Sequence, residues 1–213
     1  MRLKVPYFPQ PDSYACVPAC LKMLLDYYGL ERIRFEWIDT LTREPGQGAH
    51  LERAALALMH FGTLPPTLHL FNPEIHAVWY RTVSKKRIGE DLRRQIAKAN
   101  GKDDQVKLKN HLFPLREFIQ RGGIYTAKVL PLDKMKKLLL RGKPIIVGIE
   151  TSRIYSEKGW PRKEASHAII VIGYHKGVIL FLDPASENKK VQRKNESEFL
   201  RAWYVDGGDA LYI

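Results

Sequence analysis

The 213-residue sequence contains only two cysteines, Cys16 and Cys20. Two cysteines are too few for a disulfide framework, and a reducing compartment is the default environment for such a chain. No run of apolar residues approaches the roughly 18 that suggest a membrane-spanning helix. The amino terminus also lacks the apolar stretch of a secretion signal. These absences argue against a disulfide scaffold and a membrane span, and they predict a cytoplasmic protein.

Acidic residues are outnumbered, with 23 Asp and Glu against 35 Lys and Arg, which gives a net charge of +12. Residues 81–143 hold 18 basic and 6 acidic residues, so this third of the chain carries the whole excess. Such a region could bind nucleic acid or an acidic protein. Few aromatic residues lie among these charges and no nucleic-acid-binding motif is present. A solvated basic face is therefore the favoured interpretation, and the two binding partners are alternatives.

The predicted helices come first in the chain and the predicted strands follow. Helical spacing of apolar residues is found in residues 18–28, 50–60 and 88–99, and in the segments LFPLREFIQRGG and LDKMKKLLLRG. Short β-branched runs come afterwards: KPIIVGIE, HAIIVIGYH, GVILFLDP and ALYI, with a tight hairpin turn at HKG. This order predicts the α+β class with an antiparallel sheet. We expect a single domain, residues 1–213, in which residues 31–120 approximately form a helical, basic insertion.

Cys16 has the features of a reactive thiol. It lies just before a predicted helix whose first turn contains Pro18, and the free N–H groups and dipole at a helix start favour the thiolate. A thiolate that attacks a carbonyl creates an oxyanion, which needs hydrogen-bond donors. The backbone N–H of Cys16 and the side-chain amide of Gln10, six residues earlier, could supply two of them.

A base and its orienting partner are predicted in the second half of the chain. His167 opens the strand SHAIIVIGY, and Asp183 ends the next strand in FLDP. If the two strands form a hairpin, Asp183 can hold the imidazole from its far side. Together with Cys16 and Gln10, these residues complete a set of nucleophile, base, orienting acid and oxyanion donor. His175, at the other end of the same strand, is the weaker candidate for the base.

These motifs resemble the papain-like cysteine peptidases, in which Gln, five residues, and Cys at a helix start recur. The late His at a strand start, the following Asp-Pro, GKPIIVGIE and ESEFLRAWY are similar to the bacteriocin-processing peptidases, which cleave after double-glycine leaders. The resemblance covers residues 5–29 and 130–213 approximately. It implies a papain-like fold with the Cys16 helix packed on the sheet. It also implies a Cys-His-Asp triad with a Gln oxyanion donor, and a peptide substrate with glycine near the scissile bond. No cofactor is needed.

Val17 departs from the pattern of this group, which usually has glycine after the nucleophile. A β-branched residue is stiff and resists positive φ, so Val17 could narrow the cleft or mark a relative that no longer cleaves peptides. Three functions therefore stay open: a thiol hydrolase for peptide or amide bonds, a catalytically silent module that binds nucleic acid or an acidic partner, and a thiol acyltransferase on the same triad.

The remaining candidates are one structural residue and four substrate contacts. Cys20 lies one turn after Cys16 and is predicted to be a buried structural cysteine. CxxxC is not the redox spacing, and zinc would need two further ligands at compatible spacing, so no metal site is predicted. The long connection before His167 is typical of a lid or binding wall. The candidate substrate contacts are Val17, Tyr155, Trp160 and Ser166.

Overall fold

The computed structural model describes residues 1–44, 46–70, 85–99, 101, 108–155, 166–186 and 191–213. Its helices are α1 (Cys16–Tyr27), α2 (Phe35–Thr42), α3 (Leu51–His60), α4 (Lys85–Lys98), α5 (Phe113–Gln120), α6 (Leu132–Leu140), α7 (Thr151–Ile154) and α8 (Glu196–Val205). A π-helical turn, Leu108–Leu112, precedes α5. The strands are β1 (Thr67–His69), β2 (Ile124–Thr126), β3 (Ile145–Glu150), β4 (Ser166–His175), β5 (Val178–Leu182), β6 (Gln192–Asn195) and β7 (Ala210–Tyr212).

The strands form one sheet in the order β2-β1-β7-β3-β4-β5-β6. All neighbours are antiparallel except β1 and β2, which run parallel. A parallel pair needs a long crossover connection, and the chain between β1 and β2 contains α4 and α5. The predicted α+β class is confirmed, whereas the sheet is only mostly antiparallel.

Helices cover both faces of the central strands. The side chains of Ile146, Ile170 and Leu182 join a core with α1, α2 and α3. Their neighbours in sequence, such as Val147 and Ile169, point to the other face and pack with α6 and α8. Because both faces are buried, β4 is a nearly continuous apolar run rather than an alternating one.

The β4–β5 hairpin brings the start of its first strand next to the end of its second. Its turn consists of Lys176 and Gly177, both with positive φ (45° and 76°), as a two-residue hairpin turn requires. This confirms the predicted turn at HKG. The pairing of Ile170 with Leu182 then places the start of β4 beside the end of β5. His167 and Asp183 therefore lie at the same end of these two neighbouring strands.

The basic region contributes an amphipathic helix to this fold. In α4, Ile88 and Leu92 are buried, whereas its exposed basic side chains are Lys86, Arg87, Arg93, Arg94 and Lys98. These charges cover the side of the helix that faces away from the core. No helix in the described part of the chain is long and apolar enough to cross a lipid bilayer.

Candidate active site

The nucleophile candidate is the first residue of α1. No side chain caps this end of the helix, so its first N–H groups stay available to the Cys16 thiol. The apolar face of α1 is buried against β4. One turn later, the thiol of Cys20 is fully buried and donates to the Ala168 carbonyl at 3.4 Å. The apolar face that contains Cys20 thus anchors the helix against β4 and places Cys16 near the first residues of that strand.

An ion-pair network ties the loop before Cys16 to α2. Arg43 is buried and binds the Asp12 carboxylate at 2.7 Å and the Asp39 carboxylate at 2.5 Å. Asp12 also accepts a hydrogen bond from the backbone N–H of Tyr14 at 2.8 Å. The pKa of Asp12 is lowered, because these hydrogen bonds and the Arg43 charge outweigh the opposing effect of burial. The network fixes the turn from which α1 starts.

Cys16, His167 and Asp183 lie in one chain of contacts. The imidazole Nε2 of His167 is 2.7 Å from Oδ1 of Asp183, and both residues are buried. Cys16 and His167 line the same cavity, and hydrogen bonding and charge between them shift the pKa of each. Since Nε2 faces Asp183, the nitrogen left for the thiol is Nδ1. The backbone N–H groups of Val17 and Ala168 complete the surroundings of the sulfur.

The pKa values of this trio move apart in the sense of an ion pair. Burial opposes the thiolate, but the hydrogen bond and charge of His167 outweigh it and lower the pKa of Cys16. Burial likewise opposes the imidazolium, but Asp183 and Cys16 together raise the pKa of His167. The pKa of Asp183 is lowered, since its hydrogen bonds overcome the cost of burial. The arrangement therefore favours thiolate, imidazolium and carboxylate together.

Tyr155 holds the outer oxygen of Asp183. Its hydroxyl donates to Oδ2, while the backbone N–H of Ala185 donates to Oδ1 at 2.8 Å. Burial and the Asp183 charge raise the pKa of Tyr155, so the phenol keeps its proton and stays a donor. The sequence predicts that Tyr155 contacts substrate, and it contains no signal for the contact with Asp183.

Gln10 is anchored beside the residue that follows Asp183. Its backbone N–H donates to the Pro184 carbonyl at 2.9 Å. The hydroxyl of Tyr7 binds the same loop, at 2.7 Å from the Ser186 carbonyl. The side-chain oxygen of Gln10 is buried and accepts no hydrogen bond from the part of the chain described. The backbone of Gln10 is thus fixed beside Pro184, and its side-chain oxygen has no partner among the described residues.

A cavity of about 430 Å³ opens at Cys16 and His167. Its lining includes Cys16, His167, Val17 and Ser166. Residues 47–52 and 110–111 line it as well, so the predicted insertion supplies part of the wall. Gln10 lies outside this lining, and Trp160 lies outside the described residues. Val17 is an ordinary helical residue, because Lys176 alone among the described non-glycine residues has positive φ.

The cavity also contains polar residues that sequence analysis missed. They are His50, Glu52, His111, Asp206 and Asp209. His111 Nδ1 lies 2.7 Å from Oε1 of Glu52, and its ring centroid lies 4.3 Å from that of His50. Their positions in the chain follow no motif, and a turn signal in DGGD is the only local hint at Asp206 and Asp209. Within the described ranges, no three His, Cys, Asp or Glu side chains are placed to hold a metal ion.

Comparison with known proteins agrees with this geometry. The profile of the Peptidase_C39 like family matches residues 2–211. The chain belongs to that family. The predicted relationship to the bacteriocin-processing peptidases is confirmed, and so is the predicted enzyme class, a cysteine peptidase. The match includes residues 31–120, for which the sequence motifs showed no resemblance.

Solved structures of C39-like peptidases share the fold. One is a double-glycine motif protease from an AMS/PCAT transporter in complex with its leader peptide, at 16% identity and a TM-score of 0.52. The alignment covers 99% of this chain and 92% of that one. Another is a C39-like peptidase from Bacillus anthracis, at 12% identity and a TM-score of 0.56, covering 100% and 96% of the two chains. No curated protein matches the sequence.

Proposed function

We propose that this C39-like chain hydrolyses a peptide or amide bond through Cys16, His167 and Asp183. The observation that carries the proposal is the 2.7 Å contact between the Asp183 carboxylate and His167, together with the presence of His167 and the Cys16 thiol in the lining of one cavity. A peptide carbonyl in that cavity would meet a thiolate already formed. The helical conformation of Val17 supports this function over a silent module, since the residue does not strain the start of α1.

The first half of the reaction forms an acyl-enzyme. The Cys16 sulfur attacks the carbonyl carbon, and the carbonyl electron pair moves onto oxygen. The backbone N–H at the start of α1 and the Gln10 amide stabilise that oxyanion. The imidazolium of His167 then donates its Nδ1 proton to the leaving amine, the C–N bond breaks and a thioester remains.

The second half releases the acid and restores the ion pair. Neutral His167 takes a proton from water, the resulting hydroxide attacks the thioester, and Cys16 leaves as thiolate. Asp183 keeps the imidazole in one orientation throughout, because it accepts from Nε2. An amine in place of water would make the same site an acyltransferase.

The substrate that fits this proposal is a peptide. The AMS/PCAT protease was solved with a leader peptide, which makes a peptide with small residues at the cleavage point the natural first candidate. Val17 and Ser166 line the cavity and are proposed to contact it. Residues 31–120 are proposed to act as an insertion of the single domain, whose described residues 47–52 and 110–111 supply part of the cavity wall.

The test is cleavage of an unbiased synthetic peptide mixture, followed by mass spectrometry. The wild type and Cys20→Ala are expected to give the same new fragments, since Cys20 is a packing residue. Cys16→Ala is expected to give none. Fragments that persist in Cys16→Ala, or their absence from the wild type, would contradict the proposal. Products that carry an added amine would identify transfer instead of hydrolysis.

A further inference from the structure

Asp206 lies in the same cavity as Cys16 and His167. The hydroxyl of Ser166, the residue before His167, donates to its Oδ2 at 2.8 Å. The carboxylate sits directly over Gly148, where a Cβ atom would meet Oδ2 at 2.5 Å. Glycine at this position of β3 therefore leaves the space that the carboxylate occupies.

The turn that carries Asp206 is held from several sides. The backbone N–H of Gly208 donates to the Trp203 carbonyl at 2.9 Å, which closes the end of α8. The indole N–H of Trp203 donates to the Asp209 carbonyl at 2.8 Å. Both Gly207 and Gly208 have positive φ, a conformation that glycine adopts without strain. The carboxylate is thus presented to the cavity by a fixed backbone.

No Lys or Arg of the described chain forms an ion pair with Asp206, and His167 is the cationic group whose charge acts on it. Of the described residues that line the cavity, none is Lys or Arg, although the whole chain has 35. Burial and the nearby charge of Glu150 raise the pKa of Asp206 to about 6, against the hydrogen bond from Ser166 and the charge of His167. Above that pH the cleft of a strongly basic protein holds a partly buried anion beside its catalytic base.

We propose that Asp206 is a specificity residue that binds a Lys or Arg side chain of a peptide substrate near the scissile bond, beside the small residues at the cleavage point. The proposal rests on the proposed peptidase function, because it assigns a substrate class to the same cavity. A cation placed there would neutralise a carboxylate that the fold keeps partly out of water. Attraction between opposite charges is stronger in such surroundings than in free solution.

The charge of Asp206 is tested by thiol reagents that share one reactive group and carry different charges. Aminoethyl, sulfonatoethyl and methyl methanethiosulfonate are cationic, anionic and neutral. With each of them the Cys16 thiolate attacks the sulfenyl sulfur, forms a mixed disulfide and releases methanesulfinate. Rates at Cys16 are read by mass spectrometry above the pKa of Asp206, in the wild type, in Asp206→Asn and in Asp133→Asn. Asp133 is an exposed carboxylate at the start of α6, away from the cavity lining, and serves as the matched control.

The quantity compared is the ratio of the cationic to the anionic rate, in which changes in the reactivity of the thiol itself cancel, and the neutral reagent reports those changes separately. We expect Asp206→Asn to lower this ratio on the order of tenfold. The ratio in Asp133→Asn should stay close to that of the wild type. An unchanged ratio in Asp206→Asn, with Cys16 still reactive, would overturn the specificity proposal and leave the peptidase proposal standing. A Cys16 that reacts with none of the three faster than free cysteine would overturn both.

Discussion

Replacing Tyr155 with phenylalanine tests whether this residue sets the charge states of Cys16, His167 and Asp183. The substitution removes the hydroxyl that donates to Oδ2 of Asp183 and leaves the ring in place. Asp183 keeps its bonds to His167 and to the backbone of Ala185. Its carboxylate is then less stabilised, so it stabilises the imidazolium less, and the imidazolium in turn stabilises the Cys16 thiolate less.

The size of the effect follows from the kind of bond removed. A hydrogen bond to a charged group contributes about 1.5–3 kcal/mol, and one pKa unit corresponds to about 1.4 kcal/mol. The Asp183 pKa should therefore rise by about one to two units. Only part of this change in the Asp183 pKa is transmitted through His167 to the pKa of the Cys16 thiol. We expect the Cys16 pKa to rise toward that of a free thiol by at most about one unit, with alkylation near pH 6 slowed by up to about tenfold.

The assay is the pH dependence of Cys16 alkylation by iodoacetamide, and the matched control is Tyr174→Phe. Tyr174 is also partly buried against the α6–α8 core, but it lies at the far end of β4. The pH at the midpoint of the alkylation curve should rise in Tyr155→Phe and stay at the wild-type value in Tyr174→Phe. If Tyr155→Phe melts at a lower temperature but keeps the wild-type midpoint, the residue only packs and the reasoning is refuted.

Three further substitutions or labels probe the frame around the site. Gly148→Ala should lower the free energy of unfolding by about 1–3 kcal/mol, because the new methyl group overlaps the Asp206 carboxylate. Urea titration should show this loss largely reversed in Gly148→Ala/Asp206→Ala, and an equal loss in both would count against the overlap. Arg43→Ala should lower the free energy of unfolding by about 2 kcal/mol in the same titration, since it breaks charged hydrogen bonds to Asp12 and Asp39. A midpoint equal to that of the wild type would show that these ion pairs do not stabilise the fold. Burial raises the pKa of Cys20 well above its usual value, so iodoacetamide should label it only in unfolded protein; labelling in the native state would contradict its packing role.

The parts of the fold that sequence predicts are those with strong local patterns. The apolar stripe of α1 and the β-branched runs of β3, β4 and β5 are long enough to identify alone. The turn at Lys176 and Gly177 has its own residue signature. These elements carry Cys16, His167 and Asp183, which is why their meeting could be anticipated.

The elements that sequence missed are short and owe their form to tertiary contacts. β1 and β2 have three residues each, too few for an alternating pattern, and they exist as strands because they extend the sheet beyond β7. Helix α2 has eight residues, of which only Ile38 and Thr42 are buried. Such segments carry little periodic signal of their own.

The site residues that sequence analysis missed were missed for the same reason. Asp206 reaches the cavity through the end of α8, and His111 through the π-helical turn before α5. Neither lies within 30 residues of Cys16 or His167 along the chain. Residue type alone cannot distinguish them from solvated surface groups. Their proximity to the thiol is a product of the folded chain.

The most direct test of the central claim is the pH dependence of Cys16 alkylation in the wild type and in His167→Ala, read on the Cys16 peptide by mass spectrometry. The lowered pKa of Cys16 and the raised pKa of His167 predict that the Cys16 thiolate persists at pH values below the pKa of an ordinary thiol. The wild type should therefore react near pH 6, and His167→Ala should lose that reactivity. If Cys16 titrates like a free thiol, near ~8.5, in both proteins, the ion pair does not exist and the account is contradicted.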